Sequence, residues 1–120
     1  MTPFVGVRVF VVEDEGAIAM MIEEMLEELG CEVLASVAQL ATALEIARTA
    51  QVDLAILDVN LAGERIFPVA EILRERGIPF LFSTGYGASG LPGEFAQYPV
   101  LRKPFSQNDL QQKVALALRH

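Results

Sequence analysis

The chain has 120 residues, 52% of them hydrophobic, which predicts one globular domain with a buried core and argues against disorder. Its 16 acidic and 9 basic side chains give a net charge of −7, which argues against a nucleic-acid partner bound through a basic face. No apolar run reaches the ~18–20 residues that cross a bilayer, and no secretory signal pattern is visible, so we expect a cytoplasmic protein away from the membrane.

Strand-like and helix-like segments alternate along the chain. The apolar run Val7–Val12 predicts a first strand, and apolar residues at helical spacing over Ala17–Leu29 predict a first helix that Gly30 ends. The remaining predicted strands are short apolar runs at Cys31–Ala35, Leu54–Leu57, Phe80–Phe82 and Val100–Arg102. Two further helices are predicted around Leu40–Ala47 and Ile66–Arg76.

The last third of the chain contains one weak helix signal and one strong one. The segment Gly85–Gly93 is so rich in Gly and Pro that it predicts a weak or irregular fourth helix. Ser106, followed three residues later by Asp109, approximates a capping box and predicts the start of the last helix. Its apolar side is predicted to consist of Leu110, Val114, Leu116 and Leu118. The single cysteine, Cys31, excludes an internal disulfide and is predicted to be buried.

Alternating strands and helices predict an α/β fold with a parallel sheet and right-handed crossovers. Five short strands favour the flavodoxin-like doubly wound order 2-1-3-4-5. In that order the first and third strands are neighbours, and their carboxyl ends bring Glu13, Asp14 and Asp58 together at the switch point. Ligands of open α/β sheets bind at this edge, so we expect the site there.

Three carboxylates in one cleft repel one another by about 1 kcal/mol per pair at ~4 Å in water, and by more when partly buried. Such a site must protonate one acid or bind a cation. Oxygen ligands suit a hard divalent ion, and Mg²⁺ typically takes one or two carboxylates together with water and phosphate. The alternative is that the acids are separate surface groups at loop starts, stabilised by helix N-termini.

Asp58 ends an apolar run, and an ionised aspartate is a competent nucleophile toward phosphorus. The transferred phosphoryl group carries charge on its oxygens and needs a metal, a cation and a hydroxyl around it. Lys103, after the fifth strand, supplies a flexible point charge, and Thr84, after the fourth, supplies a hydroxyl. The combination predicts phosphoryl transfer to an aspartate.

Four motifs in this order and spacing resemble the receiver domain of two-component response regulators over essentially the whole chain, residues 1–120. They are Val-Glu-Asp-Glu (12–15), Leu-Asp-Val-Asn-Leu (57–61), Ser-Thr-Gly (83–85) and Lys-Pro-Phe (103–105). The resemblance implies that Asp58 is the phosphoacceptor and that Asp14 and Asp58 bind Mg²⁺ directly. It also implies that Asn60 offers the metal its backbone carbonyl and that Glu13 acts through water.

The same resemblance implies that Thr84 and Lys103 contact the phosphoryl oxygens and that the Lys103–Pro104 bond is a candidate cis peptide. The implied partner is a sensor histidine kinase or a histidine phosphotransfer protein of a bacterial phosphorelay. The first helix and the segment Gly85–Gly93 are the implied contact surfaces, and the implied output is binding to a downstream protein target. The domain would catalyse its own phosphorylation and slow hydrolysis without being an enzyme for another substrate.

A narrower resemblance is carried by Pro-Phe-Leu-Phe-Ser-Thr-Gly-Tyr (79–86), which is similar to the signature of the FATGUY receivers, a mostly stand-alone group. Ser83 replaces the usual Ala of that signature, and Gly87 stands where it has Tyr. Val100 occupies the position of the aromatic switch residue of ordinary receivers, and Tyr98 is two residues out of phase.

This narrower resemblance implies a stand-alone receiver with no output domain. We therefore expect the segment Gly85–Gly93, rather than an inward-turning tyrosine, to order or shift on phosphorylation. Asn60 and Tyr86 occupy the two positions that tune hydrolysis in receivers, and Tyr86 either shades the site from water or packs on the loop.

Three other interpretations remain open at this stage. A carboxylate followed two residues later by Asn60 also resembles haloacid-dehalogenase-like phosphatases, although these place a general acid at that second position. A second interpretation is a receiver excised from a hybrid kinase or a longer regulator. The third is a receiver-like interaction module that no longer accepts phosphate.

Overall fold

The computed structural model of the chain describes residues 4–85 and 91–119. Five parallel strands form one sheet and are numbered in chain order as β1 (Arg8–Val12), β2 (Glu32–Val37), β3 (Leu54–Asp58), β4 (Phe80–Thr84) and β5 (Val100–Arg102). Their order in the sheet is β2-β1-β3-β4-β5, so the predicted flavodoxin-like order is confirmed.

Helices cover both faces of the sheet. Within the described residues they are α1 (Gly16–Glu28), α2 (Leu40–Thr49), α3 (Phe67–Glu75) and α4 (Gln107–Leu118). One core lies between the sheet and α2 and α3, and the other lies between the sheet and α1 and α4. Side chains of each strand alternate between the two, as Phe10 and Val11 do in β1. No helix of the described residues is long and apolar enough to cross a membrane.

The last helix begins as predicted, but one of its apolar residues was assigned to the wrong side. The Asp109 amide donates to Ser106 Oγ at 3.1 Å, and the Ser106 amide donates to Asp109 Oδ2 at 2.9 Å, which completes the capping box. The prediction that Leu116 faces the core is wrong, because its side chain is 39% exposed and Ala117 is buried instead. At 3.6 residues per turn, Leu116 lies about 120° around the helix from Leu110.

The segment after β4 contains no regular helix in its described part. Residues 86–90 lie outside the described residues, and the remainder contains a short 3₁₀ helix, Gly93–Phe95. Phe95 is fully buried, and its ring stacks on Phe67 with centroids 5.6 Å apart. Three more rings complete an aromatic cluster that fixes this segment against the sheet: Phe80, Phe82 and Tyr98.

Two further sequence predictions are confirmed by the structure. Cys31 is buried, and burial raises the pKa of its thiol. The Lys103–Pro104 peptide bond is cis. Cys31 precedes β2, and Lys103 follows β5, so they lie at opposite edges of the parallel sheet.

Candidate functional site at the carboxyl edge of the sheet

Because all five strands run in parallel, their carboxyl ends meet at one edge, and a cleft of about 390 Å³ opens there. Most of the residues predicted for the site line this cleft. The lining consists of Asp14, Glu15, Asp58, Asn60, Ala62, Gly63, Thr84, Gly85 and Lys103. Glu13 lies beneath it, 2% exposed. The structure therefore brings together all the residues that the sequence predicted for the metal and for contact with the phosphoryl group.

The three acids converge on one point. One carboxylate oxygen from each of Glu13, Asp14 and Asp58 lies within 4.8 Å of the other two. Backbone amides hold each acid in place: Glu15 N–H donates to Glu13 at 3.1 Å, Ala62 N–H to Asp14 at 3.1 Å, and Asn60 N–H to Asp58 at 3.4 Å. Their orientation is thus fixed by the chain immediately after β1 and β3.

Lys103 supplies the balancing positive charge. Its Nζ lies 2.8 Å from Glu13 Oε1, an ion pair not aligned as a hydrogen bond, and 3.3 Å from Asp58 Oδ2. The Lys103 amide donates to the Thr84 carbonyl at 2.9 Å, which sets where the side chain leaves the backbone. Burial by itself lowers the pKa of Lys103, but the contact with Glu13 and the charges of both acids outweigh it and raise that pKa.

Asp58 is the strongly perturbed acid of the cleft. Burial is the main cause, the charge of Glu13 adds to it, and Lys103 offsets only part of the effect, so the pKa of Asp58 is raised to about 7. In the metal-free site a proton therefore competes with a cation for this carboxylate near neutral pH. Carboxylates at a catalytic or metal site are commonly perturbed in this way.

The oxygens present fit a small hard cation. The octahedral shell of Mg²⁺ has bonds of about 2.0–2.1 Å, so its ligand oxygens lie roughly 3–4 Å apart, close to the spacing of these three acids. Within residues 4–85 and 91–119, neither sulfur nor imidazole lines the cleft. The donor set matches Mg²⁺ better than a softer metal such as Zn²⁺.

A short hairpin that the sequence analysis missed forms one wall of the cleft. Asn60–Leu61 pairs antiparallel with Glu64–Arg65, and Ala62 and Gly63 form its turn with φ of 51° and 94°. The Asn60 side chain accepts a hydrogen bond from Gly63 N–H at 2.8 Å. A two-residue hairpin turn is usually recognised in a sequence by Asn-Gly or Asp-Gly, because both turn residues need a positive φ. Ala62 stands in place of the Asn or Asp here, so the sequence contains little indication of the turn. The hairpin brings the Ala62 amide within hydrogen-bonding distance of the Asp14 carboxylate.

Thr84 ends β4 at the rim of the cleft and is 5% exposed. Tyr86, which the sequence analysis connected with access of water, lies outside the described residues, as does most of the segment expected to respond. The fold and the cleft together define a flavodoxin-like α/β protein with an oxygen-rich site and one lysine at the switch point of its sheet.

The comparison with protein families agrees with this class. The model of the response regulator receiver domain matches residues 9–115, and the chain belongs to that family. Receiver domains of this family are parts of two-component systems. The transcriptional regulatory protein PdtaR of Mycobacterium tuberculosis is 32% identical over 115 residues, which is 92% of this chain and 56% of PdtaR. The chain spans about half the length of the curated relatives it matches.

Solved structures of similar sequence share the fold over nearly the full chain. The solution structure of SdrG from Sphingomonas melonis is 41% identical, has a TM-score of 0.85, and covers 96% of this chain and 98% of SdrG. A second structure is described as the BeF₃-activated conformation of SdrG from Pseudomonas melonis. It is 40% identical, has a TM-score of 0.81, and covers 95% and 98% of the two chains.

Proposed function

We propose that this receiver accepts a phosphoryl group on Asp58 from a histidine kinase or a histidine phosphotransfer protein, in a step that depends on Mg²⁺. One observation carries the proposal: the Asp58 carboxylate, 5% exposed, lies between two other acids and the ammonium of Lys103 at 3.3 Å. The description of the similar SdrG structure as BeF₃-activated adds support, because BeF₃⁻ mimics a phosphoryl group on a carboxylate.

In the proposed transfer, a carboxylate oxygen of Asp58 forms a bond to phosphorus. The P–N bond to the donor imidazole breaks, and the nitrogen keeps the electron pair. Lys103 moves its donors from Glu13 and Asp58 to the phosphoryl oxygens, and the Thr84 hydroxyl donates to one of them. Burial of Asp58 beside Lys103 keeps the nucleophile and this cation in position before the donor arrives.

Asp14, Asp58 and the backbone carbonyl of Asn60 would hold Mg²⁺ directly, and Glu13 would act through water. When bound, the ion neutralises charge on the carboxylates and on the transferred phosphoryl oxygens. The contact of Glu13 with Lys103 at 2.8 Å suits such an indirect role, because this acid already has a cationic partner. The Ala62 amide would keep the half-buried Asp14 oriented.

Residues 1–120 would form a receiver domain that works in the cytoplasm and resembles the FATGUY receivers. The match to SdrG, which covers 96% of this chain and 98% of SdrG, supports the assignment of these residues to one receiver. The Asn60 amide cannot serve as a general acid, which favours a receiver over a haloacid-dehalogenase-like phosphatase. The domain would therefore undergo self-catalysed phosphorylation and dephosphorylation and would not turn over another substrate.

Phosphorylation would be transmitted through the segment Gly85–Gly93. Thr84 precedes this segment directly, and the buried Phe95 anchors its far end in the aromatic cluster. Backbone amide dynamics with and without BeF₃⁻ would test this step, and equal dynamics of the segment in both states would contradict it. The output would be binding to a downstream protein target.

Acetyl phosphate labelling tests the site assignment. We expect the wild type with Mg²⁺ to incorporate one phosphoryl group, and Asp58→Asn or excess EDTA to abolish labelling. Asp53→Asn is the matched control, because Asp53 is also an acid but lies just before the amino end of β3, where it pairs with Arg8. Labelling of Asp58→Asn at the wild-type level would refute the assignment, whereas multiple turnover of phosphate monoesters would favour a phosphatase.

A further inference from the structure

The hydroxyl of Ser83 is a buried polar group that the proposed transfer leaves without a role. Ser83 is 1% exposed, and its Oγ has no hydrogen-bond partner among the described residues. Burying an unpaired hydroxyl costs free energy, and alanine would fill the same position without that cost. Such a group calls for an explanation in terms of a partner that arrives in another state of the protein.

Ser83 lies beside Asp58 in the sheet. The two are register partners in the parallel pair β3–β4. Ile56 and Leu81, two residues before each of them, both pack into the core on the α1–α4 side. Side chains alternate along a strand, so Asp58 and Ser83 also project to that side.

A change of rotamer brings the two side chains into contact range. Neighbouring strands are about 4.8 Å apart, so rotation about the Ser83 χ1 bond can place Oγ within hydrogen-bonding distance of the Asp58 carboxylate. Lys103 Nζ reaches that carboxylate at 3.3 Å and Asn60 N–H at 3.4 Å, and both are long hydrogen bonds. A carboxylate can accept about four hydrogen bonds, so these contacts leave room for a further donor.

We infer that Ser83 is a positioning residue, whose hydroxyl donates a hydrogen bond to the Asp58 oxygen that does not carry the phosphoryl group. This inference rests on the proposed function. The Asp58 oxygen that does not carry the phosphoryl group would bind Mg²⁺ through one lone pair. When Lys103 turns toward the phosphoryl oxygens, the second lone pair of that oxygen lies in a buried place without a donor. A neighbouring hydroxyl then supplies the missing donor and gains the partner that it lacks in the unmodified protein.

Ser83→Ala tests the inference by two measurements, the unfolding temperature of the free protein and its affinity for BeF₃⁻. Without ligands, the variant should unfold at the wild-type temperature or slightly higher, because an unpaired buried hydroxyl has been removed. Its affinity for BeF₃⁻ with saturating Mg²⁺, measured by calorimetry, should fall by roughly threefold to tenfold. Ser83→Thr, which keeps the hydroxyl on a strand-favouring residue, should bind BeF₃⁻ about as well as the wild type.

Ser36→Ala is the matched control, since it removes an exposed hydroxyl from β2. A proton spectrum of the BeF₃⁻ complex provides a readout independent of affinity, because a hydrogen-bonded Ser83 hydroxyl exchanges slowly and its resonance should be missing in Ser83→Ala. Equal BeF₃⁻ affinities of wild type and Ser83→Ala would overturn the inference and leave the proposed function intact. A wild type that binds no BeF₃⁻ and takes no label from acetyl phosphate would overturn the proposed function itself.

Discussion

At Asp58, burial and the neighbouring charge of Glu13 work against ionisation, and Lys103 works for it. The first two prevail, which is why the pKa of Asp58 lies near 7 rather than at the ordinary value of 3.8. The same imbalance makes the site receptive to a divalent cation, which would favour the ionised carboxylate. Stability, metal binding and readiness for the proposed phosphoryl transfer would thus be coupled at a single side chain.

This coupling predicts how stability depends on pH in the absence of metal. Between about pH 4 and 7 the folded protein holds a proton on Asp58 that the unfolded chain releases, so the free energy of unfolding falls as pH rises. We expect a loss on the order of 2 kcal/mol from pH 5 to pH 8, and Asp58→Asn should remove most of it. Urea unfolding of the wild type and of Asp58→Asn in EDTA, at several pH values, measures the loss in each protein.

The other acids with shifted pKa values do not add to this dependence. Hydrogen bonds from the Arg8 and Ser106 backbones lower the pKa values of Asp53 and Asp109, which moves their titration further from the range of pH 5 to 8. A wild type and an Asp58→Asn variant with the same pH dependence between 5 and 8 would contradict the raised pKa of Asp58.

Lys103→Met tests the balance of charge in the cleft. The substitution leaves the side chains of Glu13, 0% exposed, and Asp58, 7% exposed, without their ammonium partner. We expect a loss of about 1–3 kcal/mol at pH 8 and a smaller loss at pH 5, where one acid is protonated. Arg8→Met, which breaks the exposed Arg8–Asp53 pair, should cost less than about 1 kcal/mol. Equal costs of the two substitutions would argue against the buried charge network.

Among the elements, α1 presents an apolar side chain to solvent beside the cleft. Ala19, Ile22 and Leu26 face the core, whereas Met20 is 62% exposed, one turn after the helix begins next to Glu15. This position fits the expectation from the sequence that the kinase docks on the first helix. An exposed methionine can pack on a partner without first leaving the core.

We therefore expect Met20→Lys to slow phosphotransfer from the cognate kinase or phosphotransfer protein by about tenfold. Labelling by acetyl phosphate should be unchanged, because a small donor does not need the docking surface. Leu34→Lys is the matched control, since Leu34 is 44% exposed on β2. A comparable slowing by both substitutions, or slower labelling by acetyl phosphate, would show that α1 is not the specific contact.

At the scale of the whole molecule, metal binding would be linked to folding, because the proposed ligands come from separate parts of the chain. Asp14 follows β1 and Asp58 ends β3, and they meet only when the sheet is formed. A cation that binds the folded protein but not the unfolded chain must stabilise the fold. The radius of gyration, 12.8 Å, is that of one compact domain, so the stabilisation would apply to the domain as a unit.

Mg²⁺ at about a hundredfold excess over its dissociation constant should raise the free energy of unfolding by about 2.7 kcal/mol. Asp14→Asn should lose most of this gain, and Asp53→Asn should retain it. Thermal unfolding with increasing Mg²⁺ and after removal by EDTA measures the effect. A Mg²⁺-dependent shift of equal size in Asp14→Asn would exclude this carboxylate as a metal ligand.

Pattern along the chain was enough to predict the strand order, the capping box at Ser106 and the acids, threonine and lysine of the cleft, but it missed the hairpin wall formed by Ala62 and Gly63. The predicted features depend on hydrophobic period, on local hydrogen bonds and on the rule that parallel strands share a carboxyl edge. The alternation of buried runs with amphipathic helices left few other topologies for a chain of this length.

The tertiary structure decided what depends on distances across the fold. The pairing of Lys103 with Glu13, the raised pKa of Asp58 and the unpaired hydroxyl of Ser83 follow from side chains that are tens of residues apart in sequence. The exposure of Leu116 was likewise set by where α4 meets the sheet, not by its hydrophobicity. The local pattern of the sequence identifies which residues end the strands and so reach the cleft. Their charge states and partners depend on burial and on distances between side chains, and only the packing of the fold sets these.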